Sequence, residues 1–434
     1  MRIEPAARVD GHIGVPGDKS ISHRALLIGA IAEGETRVLH WGRSGDTTST
    51  LEAVRALGVQ VDEEDVDTLV VHGVGLRGLK PPGRPIDCGN AGTLARLITG
   101  ILAFQRGSFD LVGDESLSRR PMGRVVEPLE QMGANIVSPG GGLPLVVQGG
   151  HLSGIDYTLP VASAQVKSAI LLAGLAAYGR TTVHEPEATR DHTELMLAAA
   201  GARLTRRLGA VTVEQSAMLS LPEVFVPGDI SSAAPFLAAA ALLPGSTLTV
   251  HDVGLNPLRT GFLDVLERMG ARVGYSNRRT VAGEAIGDVE VTGGDLVATN
   301  VAGPDVPRLV DELPFVALVA GMAHGTTRVT GAEELRAKET DRIETVTSAL
   351  RAIGTHIEST PDGFVVRGVP ARPRGGIIDA AGDHRIAMLG AIAGTVSQEG
   401  VRLEGAECAS VSFPGFYDLL AGVAQAGEVG AAAE

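Results

Sequence analysis

Apolar residues along this chain are gathered into stretches that leave no polar face. Ala25–Ala32, Phe236–Leu243 and Phe315–Ala320 are apolar at every position of a helical turn, and a helix of that kind has no side to give to water, so it must be buried. A glycine and a short β-branched strand follow each, then an amphipathic helix, a second glycine and another strand. The phrase occurs six times. Its first glycines are Gly34, Gly107, Gly179, Gly245, Gly325 and Gly400, and its second are Gly58, Gly133, Gly201, Gly270, Gly354 and Gly427, always 22 to 29 residues later. Self-similarity at so steady a period predicts six copies of one α/β unit.

The second glycine has a conformational task. Leu263–Met269 alternates like an amphipathic helix and Ala271–Val273 like a strand, so Gly270 between them must turn the chain with a positive φ. No apolar run approaches the roughly 20 residues that a membrane span requires.

The residues that begin the six buried helices carry the chemical signal. They are Lys19–Arg24, Asn90–Thr93, Ser163–Gln165, Asp229–Ser232, Asp311–Glu312 and Asp383–Arg385. Serine, threonine, asparagine and aspartate are ordinary caps there. The lysine and arginines are not explained by capping, because a helix N-terminus already carries about half a positive charge and a further cation is unfavourable unless an anion is also present. The pattern predicts an anion site assembled from several helix ends.

Composition narrows the class. The 434 residues suit two domains of about 200 residues, three units in each. A formal net charge of -14 with 3% aromatic residues argues against nucleic acid and anionic membranes as partners, so any positive field is local to a cleft. Met1–Arg8 lacks the apolar segment of a signal peptide, and Cys88 and Cys408 have neither metal-ligand nor redox spacing; a cytoplasmic location with idle thiols is expected. No Walker loop, dinucleotide fingerprint, zinc spacing or nucleophile triad is present, so neither cofactor nor metal is expected. The joint between the halves is placed at Leu221–Gly228, with two prolines and a glycine, and a second crossing at Val15–Gly17 after an N-terminal hairpin over Met1–Val15. The domains are then 16–226, and 1–15 with 227–434; the tail Glu428–Glu434 is expected to fray.

Six motifs, in order, resemble one family. Pro16–Arg24, Gly89–Thr93, Arg119–Gly123, Pro160–Ser168, Glu333–Arg342 and Asp383–Met388 together are similar to the motifs of the 5-enolpyruvylshikimate-3-phosphate synthase family, over Pro16 to Phe413. The resemblance implies a two-domain inside-out α/β barrel of six βαβαββ-type repeats, three per domain, closing on shikimate 3-phosphate and phosphoenolpyruvate. The implied reaction adds the 5-hydroxyl of shikimate 3-phosphate to phosphoenolpyruvate after protonation of its methylene carbon, and then expels phosphate. A monomer is expected.

Residue roles follow from the same resemblance. Arg120, Arg342 and Arg385 would hold phosphoenolpyruvate, completed by Lys19, the Gly92 backbone and Gln165. Shikimate 3-phosphate would be held by Lys19, Ser20 and Arg24 on one side and by Ser163, Gln165 and Lys338 on the other. Arginine's planar fork suits both phosphate and carboxylate, which are costly to desolvate unpaired. Asp311 is matched to an acceptor near the reacting hydroxyl and Glu339 to a second acid. Two acids among cations serve proton transfer, which simple anion storage does not need. Asp311 is expected to be the base, with Glu339 and Lys19 sharing the proton traffic and His384 orienting Arg385. From position alone, Asp311 reads equally well as a helix cap.

Departures from the commoner family pattern add detail. Ala164 stands where many members have a second serine, Val411 where a lysine is frequent, Glu334 where asparagine is common and Leu97 where proline is frequent. With Arg190–Glu194 they resemble a divergent bacterial branch, in which an arginine can replace lost phosphate contacts; Arg190 is therefore a candidate ligand. Glyphosate, which occupies the phosphoenolpyruvate site in this family, is expected to meet the Asn90–Thr93 turn. The nearest rival, UDP-N-acetylglucosamine enolpyruvyl transferase, places a reactive cysteine in the loop that corresponds to Arg119–Gly123, where this chain has none. A non-catalytic repeat protein that binds polyanions is the other rival.

Overall fold

A computed structural model of the chain describes residues 1–425. Gly427 and the tail Glu428–Glu434, about which expectations were stated above, lie outside the described residues. The chain divides into two compact units: the first is Pro16–Pro227 with Thr280–Glu284, and the second is Met1–Val15, Gly228–Arg279 and the chain from Ala285 onward. Each unit has its own hydrophobic core.

The apolar stretches are buried helices, as their composition requires. In the first unit they are α1 (Lys19–Ile31), α2 (Gly92–Leu102) and α3 (Ala164–Gly174). In the second they are α4 (Ile230–Leu242), α5 (Leu313–Gly321) and α6 (His384–Val396), in which every residue is buried.

Four four-stranded sheets share one order. In one of them Glu223–Phe225 runs parallel to Glu33–Leu39, which is antiparallel to Leu69–Val74, which is antiparallel to Gln60–Glu63. The sheets centred on Ser108–Val112, Arg180–His184 and Gly325–Val329 repeat this arrangement. In a five-stranded sheet Arg8–Ile13 takes the parallel position beside Thr247–Gly254. A three-stranded sheet is formed by Arg2–Ile3, Val401–Glu404 and Gly376–Asp379.

The N-terminus corrects one expectation. Met1–Val15 is not a hairpin, because its two strands join different sheets: Arg2–Ile3 pairs with Val401–Arg402, and Arg8–Ile13 pairs with Thr247–Val250 and Ala424–Gln425. The intervening N–H groups of Ala6 and Ala7 donate to Thr395 O and Gln425 O, at 2.9 and 2.8 Å, which draws the two strands to separate edges instead of to each other.

All eleven described glycines of the repeated phrase have φ between +76° and +125°. At Gly270 a side chain would also meet Asp295 O at 2.8 Å, so conformation and space both demand glycine. A further set of glycines seals the helices' far ends. A Cβ on Gly73 would overlap Ala32 O, one on Gly149 would overlap Gln105 O, and one on Gly368 would overlap Ala323 O. In each case a strand backbone crosses the end of a buried helix in direct contact with its last carbonyls.

That contact predicts that Gly149→Ala destabilises the first unit by about 1 to 3 kcal/mol, the usual penalty of overpacking. Thermal unfolding checks it, and an unchanged midpoint would show that the crossing has room to give.

Candidate functional site

In the first unit the N-terminal turns of α1, α2 and α3 carry the expected residues. Asp18 caps α1 by accepting from Ile21 N at 2.9 Å, and Ser163 caps α3 by accepting from Val166 N at 3.4 Å. The first turn of α2, behind Ala91, has no side-chain cap. Around that turn three polar side chains interlock: Arg96 Nη1 donates to Gly92 O and to Gln165 Oε1, both at 3.1 Å, and Gln165 Nε2 donates to Thr93 Oγ1 at 2.9 Å. Arg120 Nη2 donates to Asn90 Oδ1 at 2.7 Å. A Cβ on Gly92 would stand 2.6 Å from Arg96 Nη1 and 3.4 Å from Arg120 Nη1. Gly92, Arg120 and Gln165 are thus gathered at one helix end.

Lys19 pairs with Asp46 at 2.7 Å, both side chains partly exposed. Arg24 lies deeper. Its Nε donates to Thr193 Oγ1 at 2.6 Å, Nη2 to Ser168 Oγ at 2.9 Å and Nη1 to Ser20 O at 2.8 Å. Arg190 is half-buried in the connector between the strand Arg180–His184 and the helix His192–Ala199.

The second unit arranges its charges differently. Asp229 caps α4 through Ser231 N and also pairs with Arg259 Nη2, at 2.9 and 2.8 Å. Asp383 caps α6 through Arg385 N at 2.9 Å and binds Arg342 with both oxygens, at 2.8 and 3.2 Å. The N-terminal donors of α4 and α6 are therefore met by the protein's own carboxylates, the ordinary capping role of aspartate, so these two ends are not open to an outside anion in the way the start of α2 is. The physical reason is packing: both aspartates are buried, and each brings its own arginine.

Asp311 stands one residue before Glu312, the N-cap residue of α5. The first turn of that helix has no side-chain cap, and Asp311 Oδ1 faces Lys338 Nζ and Arg342 Nη1, each at 3.4 Å. Glu339 closes on Arg342 Nη2, so that Arg342 touches Asp311, Glu339 and Asp383 together. Burial opposes the Arg342 cation, but Asp383 and Glu339 more than restore it, and its pKa is raised. Burial likewise opposes ionisation of Asp383, yet the charge and hydrogen bonds of Arg342 hold it below the usual carboxylate range. Lys338, Arg342 and Arg385 balance these three carboxylates, and Arg385 Nη1 is held by Ser231 O at 2.8 Å. His384 is buried beside Arg385 at the start of α6.

Arg96 and Asp46 escaped the sequence reading. Arg96 had a signal, since it lies four residues after Gly92 on α2 and so over the same turn. Asp46 had none, as 27 residues separate it from Lys19. Cys88 is fully buried and burial pushes its thiol up to about 12, so it offers no reactive thiolate. Val411 and Glu334 lie in short helical turns, Ala406–Val411 and Glu333–Ala337.

Arginines and lysines gathered at helix ends, with carboxylates held against them, define an enzyme of small polyanionic metabolites on a mixed α/β scaffold. The family model for EPSP synthase (3-phosphoshikimate 1-carboxyvinyltransferase) matches residues 3–420. A 3-phosphoshikimate 1-carboxyvinyltransferase of Citrifermentans bemidjiense is 49% identical over 425 residues, 98% of this chain and 99% of that protein. One of Bacillus subtilis is 45% identical over 422 residues, covering 97% and 98%. The solved EPSP synthase from Acinetobacter baumannii superposes with a TM-score of 0.88 at 40% identity, covering 98% of each chain. The chain belongs to the EPSP synthase family, and the UDP-N-acetylglucosamine enolpyruvyl transferase reading is not favoured.

One group beside the site sets an acid limit on stability. Burial drives His23, on α1, down to about 3 from 6.5; Lys19 and Arg24 add to the shift and Asp46 opposes it. The unfolded chain therefore takes up this proton first as pH falls, so the stability held in neutral His23 is complete above about 6.5 and is lost toward pH 3. Between pH 6.5 and 5 the loss is about 2 kcal/mol. His23→Gln, which keeps a partner for Thr50 Oγ1 (2.6 Å from His23 Nδ1), should lose correspondingly less between pH 7 and 5 in denaturant unfolding. Equal losses would remove His23 from the account.

Proposed function

We propose that this chain transfers the enolpyruvyl group of phosphoenolpyruvate to the 5-hydroxyl of shikimate 3-phosphate and releases phosphate. The observation that carries the reading is Asp311, a half-buried carboxylate that faces two cations, Lys338 and Arg342. A carboxylate so placed can accept the proton of an attacking hydroxyl. Glu339, across Arg342, and Lys19 share the second proton transfer, to the methylene carbon.

Phosphoenolpyruvate takes Arg120, the Gly92 backbone, Gln165 and Lys19 from the first unit and Arg342 and Arg385 from the second. The uncapped first turn of α2 supports this placement, because it presents helix-end donors between arginines. Shikimate 3-phosphate takes Lys19, Ser20, Arg24, Ser163, Gln165, Arg190, Lys338 and Asp311. The architecture is read as an inside-out α/β barrel of six βαβαββ-type repeats, three in 16–226 and three in 227–434 with 1–15; the enzyme is read as a cytoplasmic monomer.

Phosphate release should require both substrates together, and Asp311→Asn should lower kcat by about a hundredfold or more while the KM values change little, since it keeps shape and removes the acceptor. Turnover near wild type would move the base elsewhere.

Glyphosate should compete with phosphoenolpyruvate at the turn of α2. Gly92→Ala places a methyl against the ends of Arg96 and Arg120, flexible atoms that shift without unfolding the helix. We expect the inhibition constant to rise about tenfold, near 1.4 kcal/mol, and the phosphoenolpyruvate KM to rise severalfold. Identical inhibition of both proteins would mean that Gly92 does not gate the site.

A further inference from the structure

Lys167 is the least exposed cation near the proposed site. It lies on α3, two residues beyond Gln165, and its side chain is 1% accessible. An ammonium so enclosed is strongly unfavourable unless fully paired. Its Nζ meets Glu194 Oε1 at 2.6 Å, Glu185 Oε2 at 2.9 Å and the carbonyl of Thr189 at 3.3 Å.

These partners are not scattered. Glu185 directly follows the strand Arg180–His184, Glu194 lies in the first turn of the helix His192–Ala199, and Thr189 sits in the connector between them, one residue before Arg190. Glu185 also accepts from Thr189 N at 3.2 Å and from Thr189 Oγ1. A single charge thus holds both ends and the middle of the connector that carries Arg190. Ser168, the next residue of α3, adds a second tie, because Thr193 Oγ1 donates to its hydroxyl at 2.7 Å. Burial raises the pKa of Glu194, and the charge of Lys167 acts against that shift.

We propose that Lys167 is a positioning residue: from inside α3 it sets the connector so that Arg190 stands at a fixed separation from Ser163 and Gln165 on the same helix, ready for the phosphate of shikimate 3-phosphate. The inference rests on the reading of Arg190 as a phosphate ligand. An arginine preset in this way loses less freedom on binding than one on a loose loop.

The test compares Lys167→Met, which keeps length and removes charge, with Arg190→Ala and the double variant, in steady-state kinetics with each substrate varied. Lys167→Met should raise the shikimate 3-phosphate KM about tenfold, as expected for one charged contact. The phosphoenolpyruvate KM and kcat should stay within about twofold. In the Arg190→Ala background the same change should add less than about twofold, because its route is already gone. Losses shared equally by both substrates and kcat, or fully additive losses, would overturn the inference while leaving the role of Arg190 intact. An Arg190→Ala protein with an unchanged shikimate 3-phosphate KM would overturn both. Should Lys167→Met fail to fold with Glu185 and Glu194 deprived of their buried cation, Glu185→Gln carries the same comparison, since its single amide oxygen cannot hold both Thr189 and Lys167 and the charge imbalance is smaller.

Discussion

A helix that is apolar on every side has only its two ends to offer polar partners, and the rest of this structure depends on that constraint. Beyond their first turns, α1, α4, α5 and α6 are buried along their length among the hydrophobic cores. Their unsatisfied carbonyls and N–H groups must be met end-on. At the C-terminal ends the solution is steric: Gly73, Gly149 and Gly368 bring strand backbone against the last carbonyls so closely that no side chain fits. The N-terminal ends are left for chemistry: Lys19, Arg24, Asp311 and Arg385 lie there, and other charged residues are brought to them from connectors.

Each unit has both capped and uncapped helix starts, and they are completed differently. In the first, α2 begins without a cap and is surrounded by Arg96, Arg120 and Gln165, an arrangement that favours an anion brought from outside. In the second, Asp229 and Asp383 are the anions, each paired to an arginine. A buried pair of this kind adds little net stability, because desolvation offsets attraction, but losing one partner leaves an uncompensated charge and is severe. Its value here is directional. Asp383 fixes Arg342 with two hydrogen bonds, so that Asp311 and Glu339 sit on the remaining edge of one guanidinium.

How much of this could be read from residues alone follows from what each feature needs. The buried helices and the turning glycines were legible, because composition and periodicity are local: Phe236–Leu243 has no polar face, and Gly270 follows a helix whose pattern simply stops. The motifs at the helix starts were legible through their likeness to a known family. The partners across space were not. Nothing near Lys167 announces that Glu185 and Glu194 converge on it, and nothing near Lys19 announces Asp46. The strand at Arg2–Ile3 went astray for a related reason, since two short strands joined by four residues look like a hairpin until sheet edges elsewhere compete for them. That Asp311 faces Lys338 and Arg342 could be seen only once the fold had brought those residues together.

The same four residues open both units, and the comparison separates scaffold from chemistry. Val15-Pro-Gly-Asp18 leads into α1 and Val226-Pro-Gly-Asp229 into α4. Both aspartates accept from the first turn of the helix that follows, Asp18 from Ile21 N and Asp229 from Ser231 N, each at 2.9 Å. Both glycines are pressed by neighbouring backbone: a Cβ on Gly17 would overlap His40 O, and one on Gly228 would stand 3.3 Å from Asp252 O. Immediately beyond, the sequences part. Lys19, His23 and Arg24 in α1 stand opposite Ile230, Ala234 and Pro235 in α4. The entry turn is kept because geometry dictates it, and the helix face behind it is free to become either a cationic pocket wall or plain core. A repeated fold can therefore keep one entry turn at two helix starts while the helix face behind each diverges, because the aspartate cap and the pressed glycine of that turn are satisfied within it.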